Sequence, residues 1–167
     1  MIELQDIMRF AIKAHDRQMY GEFPYSTHLS DVYGVLLEFE ILDKEILFAS
    51  WLHDTLEDTH HSYNDVKVLA GENVAEIVYA VTDELGRNRK ERHEKTWPKI
   101  KANEKAMILK QAYMVANIRM GIREKSSLRK MYRKEYPAFR EFFYPLGNEK
   151  LWNELDILLR HENVKEE

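Results

Sequence analysis

The spacing of apolar residues constrains the fold of this 167-residue chain most strongly. Apolar side chains recur three and four residues apart along most of the chain, which is the period of an amphipathic α-helix. We find no convincing strand pair, and only 6 glycines and 4 prolines argue against a fold with many tight turns. The pattern therefore predicts a single all-α domain of roughly eight helices. The helical patterns run over residues 3–19, 28–39, 43–52, 62–70, 74–81, 103–120, 126–143 and 148–161.

The composition excludes several classes of protein. The chain has no cysteine, which excludes a disulfide scaffold, a cysteine zinc site and thiol catalysis. It also fits a reducing cytoplasm, where we expect the protein to be located. No apolar run approaches the roughly 18 residues that a membrane span needs, so we expect no membrane partner. The N-terminal pattern carries acidic residues and is not that of a signal peptide.

The charge of the chain is unevenly distributed. Residues 1–86 carry 5 Lys/Arg against 17 Asp/Glu, whereas residues 87–134 carry 16 against 4. One interpretation is a set of solvated helix faces. The other is a site with two walls, in which acids and histidines hold a cation and basic residues hold an anion such as phosphate. The net charge of −4 makes binding to an extended nucleic acid a weaker hypothesis.

The segment 51–59 carries the strongest chemical signal. It places His53, Asp54, Glu57 and Asp58 together at the end of an apolar helix. An imidazole nitrogen and a carboxylate oxygen form a mixed donor set that suits Mn²⁺, Fe²⁺ or Zn²⁺ better than Ca²⁺. His28, at the head of another predicted helix, could complete such a site. The alternatives are a water-exposed helix end at 53–58 and a capping or packed histidine at 28.

A basic loop and an aromatic-rich helix complete the candidate features. Arg87, Arg89 and Lys90 lie close enough in sequence to grip a phosphate or pyrophosphate, although a solvated helix start would look the same. The pattern over 126–143 places a run of aromatic residues on one helix. We interpret that run as core or as a self-association face; its members are Tyr132, Tyr136, Phe139, Phe142, Phe143 and Tyr144.

Several stretches of the chain form one pattern when they are taken in order. They are Ala14-His15 with Gln18, Gly21 with Pro24-Tyr25 and His28, residues 51–55 with 57–59, residues 81–84, and Lys110 with Ala112 and Asn117. In this order and spacing the chain resembles the HD-domain metal-dependent phosphohydrolases. Within them it is most similar to the small guanosine polyphosphate (ppGpp) pyrophosphohydrolases, related to the hydrolase half of RelA/SpoT-type enzymes. The resemblance implies a single HD-domain helical bundle over residues 1–167, with a core of about 4–145 and a C-terminal helix at 148–161.

The resemblance also implies roles for individual residues. It implies that His28, His53 and Asp54 bind a divalent metal, most simply Mn²⁺, with Fe²⁺ or Zn²⁺ as alternatives. Glu57 and Asp58 would position and activate the attacking water. The residues that would contact the substrate are Arg17, Arg87, Arg89, Lys90, Lys110 and Asn117.

The chain departs from the family pattern at one stretch. Where the family has a further metal-binding Asp, this chain has Tyr113, and the neighbouring Arg and Leu positions hold Met114 and Gln111. A guanine-stacking Arg of related enzymes is Asp16 here. Tyr113 would either ligate as a phenolate or fill the space with its ring. We expect a metal that is weakly bound or absent, reduced hydrolysis, and a pocket that accepts a different ligand.

The leading functional hypothesis is a metal-dependent phosphohydrolase that acts on a nucleotide pyrophosphate such as ppGpp. The alternative is a catalytically inactive or engineered HD-domain protein that binds a nucleotide or another small molecule. A protein-interaction module built on the C-terminal aromatic residues is a third hypothesis. The expected partner is a small nucleotide or phosphate ester, and the expected assembly is a monomer or a homodimer.

Overall fold

Ten helical segments and one short hairpin make up residues 1–160, the part of the chain that this computed structural model describes. The predicted all-α class is confirmed. No helix in that range is both long and apolar enough to cross a membrane. In chain order the elements are α1 Leu4–Ala14, β1 Met19–Tyr20, β2 Phe23–Pro24, α2 Tyr25–Glu38, α3 Lys44–Leu52, α4 Thr55–Asp58, α5 Tyr63–Ala70, α6 Glu72–Val81, α7 Arg89–Lys101, α8 Glu104–Arg123, α9 Leu128–Phe143 and α10 Glu149–Leu159.

Several helix ends follow from capping residues in the sequence. The Asp43 carboxylate accepts hydrogen bonds from the first-turn amides of α3. Ser62 and Asp65 cap each other's backbone amides at the start of α5, as a capping box does. Gly71 ends the same helix with φ 94°, a conformation that few residues other than glycine adopt readily. The last predicted helix ends earlier than expected, at Leu159, and residue 161 lies outside the described residues.

The expectation of no strand pair is wrong at one place. Two antiparallel two-residue strands pair Met19 with Pro24 across a turn at Gly21, whose φ is 62°. The amide of Tyr25 donates to the Gln18 carbonyl at 3.0 Å and closes the hairpin onto α2. Strands of two residues carry no alternating pattern, so sequence periodicity cannot reveal them.

Helix α8 is the centre of the core. Twelve of its 20 residues are buried, and it packs against α2, α3, α6, α7, α9 and α10. A helix that is covered on nearly every side shows no clean amphipathic stripe. This placement brings residues 110–117 to the middle of the molecule, next to His28 of α2 and to His53, which directly follows α3.

The aromatic residues of α9 form part of this core. Tyr132, Tyr136, Phe139 and Phe143 are buried, which confirms the core interpretation for these four side chains. Phe139 lies 5.7 Å from both Trp97 of α7 and Trp152 of α10, measured between ring centres.

Gln111 secures the connection between α9 and α10. Its side-chain nitrogen Nε2 donates to the backbone carbonyl of Asn148 at 3.1 Å. Its side-chain oxygen Oε1 accepts from the backbone N–H of Asn148 at 2.8 Å. The loop approaches so closely that a Cβ at Gly147 would lie 2.3 Å from the Gln111 amide oxygen. Gln111 therefore contributes to the packing of the C-terminal helix. The helical period gives the face of a residue but not its partner.

We predict that Gln111→Leu lowers the free energy of unfolding by about 1–3 kcal/mol, because it leaves the Asn148 amide and carbonyl without their partners. Urea unfolding followed by circular dichroism measures this loss. Gln5→Leu, at an exposed position of α1, is the matched control and should change stability by less than about 0.5 kcal/mol. Equal free energies of unfolding for Gln111→Leu and Gln5→Leu would contradict a stabilising role of the hydrogen bonds between Gln111 and Asn148.

Candidate metal centre

The helical conformation is interrupted at residues 53 and 54, within the segment that carries the strongest chemical signal. Helix α3 ends at Leu52, His53 follows as its C-cap, and Asp54 is the N-cap of the single-turn α4. The segment 51–59 is therefore not one continuous helix. The break allows the side chains of two consecutive residues, His53 and Asp54, to converge on the same point.

Three potential ligand atoms meet at this break. His53 Nε2 lies 2.9 Å from Asp54 Oδ2, His28 Nε2 lies 3.2 Å from His53 Nε2, and His28 Nε2 lies 3.6 Å from Asp54 Oδ2. Two atoms that each lie about 2.1 Å from a metal at tetrahedral or octahedral angles are roughly 3.0–3.4 Å apart. The observed 2.9, 3.2 and 3.6 Å lie within about 0.2 Å of this range, so small shifts would let one ion bind all three atoms.

Neighbouring groups orient these ligands. His53 Nδ1 donates to the Ser50 carbonyl at 2.7 Å, which leaves Nε2 as the nitrogen with a lone pair for a metal. The Tyr25 hydroxyl donates to Asp54 Oδ2. Outer hydrogen bonds of this kind fix ring and carboxylate orientation in metal sites. The donor set of two imidazoles and one carboxylate fits a divalent ion such as Mn²⁺, Fe²⁺ or Zn²⁺.

The electrostatics of the three residues also fit a cation. Burial lowers the pKa of His28 and favours its neutral form. Burial opposes ionisation of Asp54, but the two histidines outweigh it and hold the pKa of that carboxyl well below its usual range. Burial likewise opposes protonation of His53, but the Asp54 carboxylate and the Ser50 carbonyl raise the His53 pKa. A bound metal would therefore displace a proton from this cluster.

Tyr113 packs beside the ligands as an aromatic wall. Its ring meets those of His28 and His53 edge-on, with ring centres 5.5 and 5.4 Å apart. Lys110 lies over the same ring, with its ammonium 4.4 Å from the ring centre. The adjacent Tyr132 hydroxyl and burial raise the pKa of Tyr113 well above 10, which disfavours a phenolate. The geometry therefore matches a ring that fills the space.

A pocket of about 50 Å³ opens over His53 and Asp54. Glu57 and Asp83 line it on the acidic side, and the Asp83 amide donates to Glu57 Oε2 at 3.3 Å. Desolvation raises the pKa of the Glu57 carboxyl. Lys110 lines the other side, with its ammonium 4.4 Å from the centre of the Tyr113 ring. The pocket thus combines a candidate base and a cation beside the ligand cluster.

Asp58 lies apart from Glu57 and does not line this pocket. The Gln18 amide donates to Asp58 Oδ2 at 2.8 Å, and Gln18 Oε1 lies 2.7 Å from His15 Nδ1. Asp58 is therefore tied to the end of α1. Sequence reasoning gave no role to Gln18 or Asp83, nor to the Tyr25 hydrogen bond, although all three residues lie in the stretches that match the family.

Asn117 is closed off from any ligand by two tyrosines. Its amide nitrogen donates to the Tyr132 hydroxyl at 3.0 Å, and its amide oxygen accepts from Tyr20. Only 5% of its surface is exposed. The expected contact between Asn117 and a nucleoside is not available in this conformation.

The basic residues that sequence reasoning grouped together are dispersed. Arg87 and Lys90 are 90% and 87% exposed and pair with glutamates one turn further along. Arg17 is exposed just after α1. Arg89 is half-buried and ion-paired with Glu135 of α9. Of the predicted cations, only Lys110 lines the pocket within the part of the chain that the structure describes.

Comparison with known proteins agrees with this geometry. The chain is 36% identical over 93 residues to guanosine-3′,5′-bis(diphosphate) 3′-pyrophosphohydrolase MESH1 of Danio rerio, covering 53% of this chain and 52% of that protein. It is 32% identical over 155 residues to the bifunctional (p)ppGpp synthase/hydrolase SpoT of Escherichia coli K12, covering 87% of this chain and 22% of that one. The chain thus spans about half the length of MESH1 and less of SpoT.

A solved structure supports the same assignment. It is described as a metazoan orthologue of SpoT that hydrolyses ppGpp, and it superimposes with a TM-score of 0.82 at 25% identity, covering 97% of this chain and 96% of the other. The sequence model of the HD domain matches residues 8–123, which include all three ligand residues and Tyr113. The chain therefore belongs to the HD-domain family.

Proposed function

We propose that this chain is a divalent-metal-dependent phosphohydrolase that acts on a nucleotide pyrophosphate such as ppGpp. The observation that carries the proposal is the convergence of His28, His53 and Asp54 beside Glu57 and Lys110 in one pocket. Water would add to the 3′ diphosphate of ppGpp, the phosphate ester bond to the ribose would break, and GDP and pyrophosphate would leave. The names of MESH1 and SpoT support this choice of substrate.

The residues in and around the pocket have different proposed roles in the reaction. A divalent ion, when bound, lowers the pKa of its water and polarises a phosphoryl oxygen. Glu57 would accept the proton of the attacking water, since its raised pKa makes it a better base than an ordinary carboxylate. Lys110 would offset the negative charge that gathers on the departing pyrophosphate. Asp58, which Gln18 holds outside this pocket, would orient water that approaches it.

We propose that Mn²⁺ is the bound ion and that it binds weakly. Tyr113 occupies the position where the family has a further carboxylate ligand, so the site has one negative charge less than a four-ligand site. The apolar edge of the ring also replaces a hydrogen-bonding group near the ion. Three protein ligands still leave open positions for water and substrate, as in other catalytic metal sites.

A second candidate function is that of a catalytically inactive or engineered nucleotide-binding protein. The observation that favours it is the packing of the Tyr113 ring against both His28 and His53. Such packing could hold the two imidazoles in place without an ion. The intact Glu57 in the pocket favours the enzyme.

The remaining proposals concern the domain organisation, cellular location and oligomeric state of the protein. We propose one HD domain over residues 1–167, located in the cytoplasm, that works as a monomer or homodimer on a small nucleotide or phosphate ester. The packing of the described helices around α8 supports the single domain. The absence of cysteine fits a reducing compartment.

Release of pyrophosphate from ppGpp in the presence of Mn²⁺ tests the proposed function. We expect the chain to turn over slowly, and Tyr113→Asp to need at least about tenfold less Mn²⁺ for half-maximal rate because it restores a carboxylate ligand. Hydrolysis by Tyr113→Asp alone would identify this chain as an inactive member. No hydrolysis by either protein would contradict the proposed substrate.

We predict that Glu57→Gln lowers kcat by about 10²–10⁴-fold, because it removes the group that takes the proton from water. Affinity for Mn²⁺, measured by calorimetry, should stay within about twofold of the parent since Glu57 is not one of the three converging ligands. Glu141→Gln, at an exposed position of α9, serves as the control. Full activity in Glu57→Gln would remove Glu57 from the mechanism.

A further inference from the structure

A chain of hydrogen bonds runs from the buried end of α1 to the exposed end of α4. His15 Nδ1 lies 2.7 Å from Gln18 Oε1, and Gln18 Nε2 donates to Asp58 Oδ2 at 2.8 Å. Only 4% of the His15 surface is exposed, Gln18 is half-buried, and Asp58 is exposed. The chain therefore anchors a solvent-facing carboxylate to the core through one amide.

The direction of these hydrogen bonds follows from the chemistry of the groups. A carboxylate oxygen only accepts hydrogen bonds, so the Gln18 amide presents its nitrogen to Asp58 and its oxygen to His15. The hydrogen between His15 and Gln18 therefore lies on Nδ1 of the ring. The other ring nitrogen, Nε2, is buried and has no hydrogen-bond partner among residues 1–160. A hydrogen on Nδ1 alone leaves no unpaired N–H in the core.

The backbone holds Gln18 in place as well. Its N–H donates to the His15 carbonyl at 3.0 Å, and its carbonyl accepts from the Tyr25 N–H at 3.0 Å. The first bond closes the turn after α1, and the second joins that turn to the start of α2. Because the backbone groups and both polar side-chain atoms of Gln18 are engaged, its amide has little freedom to turn away from Asp58.

His15 supports the other end of α4 through Tyr25. The two rings stack with centres 4.8 Å apart and planes at 26°. The Tyr25 hydroxyl donates to Asp54, the N-cap of α4, whereas Asp58 is the last residue of that helix. A single helical turn is not stable by itself. Helix α4 is therefore held at both ends by side chains that contact His15.

We propose that His15 and Gln18 are positioning residues for the hydrolysis, which hold the Asp58 carboxylate in one orientation toward the water that approaches the pocket. The inference rests on the proposed function, in which Asp58 orients that water. An exposed carboxylate on a single-turn helix would otherwise exchange among its rotamers. Gln18 engages Oδ2 of Asp58, so Oδ1 can accept a hydrogen from water.

A double-mutant cycle on Mn²⁺-dependent hydrolysis of ppGpp tests whether Gln18 acts through Asp58. We expect Gln18→Leu to lower kcat about tenfold, as loss of an outer hydrogen-bonding partner does, with the KM for ppGpp within about twofold of the parent. Asp58→Ala keeps the candidate base Glu57, so its residual hydrolysis is measurable. In that background Gln18→Leu should change kcat less than about twofold, because no carboxylate is left to position. Gln5→Leu, at an exposed position of α1, is the matched control and should have the activity of the parent.

His15→Phe tests the buried end of the chain. It keeps a planar ring against Tyr25 and removes the hydrogen bond to Gln18. We expect the same loss of kcat as in Gln18→Leu, and no further loss when the two substitutions are combined, because both break one chain of hydrogen bonds. Urea unfolding checks that the variant is folded under the conditions of the assay.

The position of the His15 hydrogen provides a readout that depends on neither activity nor metal. In a long-range ¹H–¹⁵N NMR spectrum of the metal-free protein above neutral pH, we expect the hydrogen of the His15 ring on Nδ1. The signals of His15 are those that disappear in His15→Phe. Gln18→Leu should shift them, because it removes the acceptor of that hydrogen.

The outcomes separate the positioning role from the proposed function. Unchanged kcat in Gln18→Leu, a tenfold loss also in the Asp58→Ala background, or a His15 hydrogen on Nε2 would each overturn the positioning role, while hydrolysis by the parent protein would keep the proposed function. If the parent protein hydrolyses no ppGpp, the proposed function fails and the role in catalysis falls with it. The His15 spectrum then still decides whether the chain of hydrogen bonds exists.

Discussion

The convergence of two imidazole nitrogens and one carboxylate oxygen at a buried point is the interaction on which the rest of the structure depends. His28, His53 and Asp54 hold these atoms 2.9–3.6 Å apart. An ionised carboxylate in such a place needs compensation, since an isolated buried charge is costly. The Ser50 carbonyl and the Tyr25 hydroxyl orient the group, and the break between α3 and α4 allows consecutive residues to share it. A divalent cation is the partner that satisfies all three atoms at once.

Helix α8 supplies several of the side chains that surround the cluster of His28, His53 and Asp54. Because the helix is buried on nearly every side, each of its residues near the centre has a separate partner. Lys110 faces the pocket, Tyr113 covers the histidines, Asn117 joins two tyrosines, and Gln111 holds the loop before α10. Tyr113 thus contributes an aromatic ring and no negative charge beside the two histidines.

Much of this could be predicted from the sequence, for identifiable physical reasons. Helical periods located eight of the ten helical segments that the structure describes and missed α4 and the polar α7, and the mixture of His and Asp after an apolar helix indicated the candidate ligands. The hairpin at Gly21 was missed because strands of two residues have no period. The role of Gln111 was missed because its partner is backbone 37 residues away. Arg87 and Lys90 were misplaced because local ion pairs with glutamates on their own helix hold them at the surface.

The most direct test of the account is the anomalous scattering of crystals of this protein grown with saturating Mn²⁺. The account predicts one metal peak bonded at roughly 2.1 Å to His28 Nε2, His53 Nε2 and Asp54 Oδ2, with no bond to the Tyr113 oxygen. A structure without a peak at these atoms would contradict the metal centre. A peak with the Tyr113 oxygen as a fourth ligand would contradict the conclusion that its ring only fills the space.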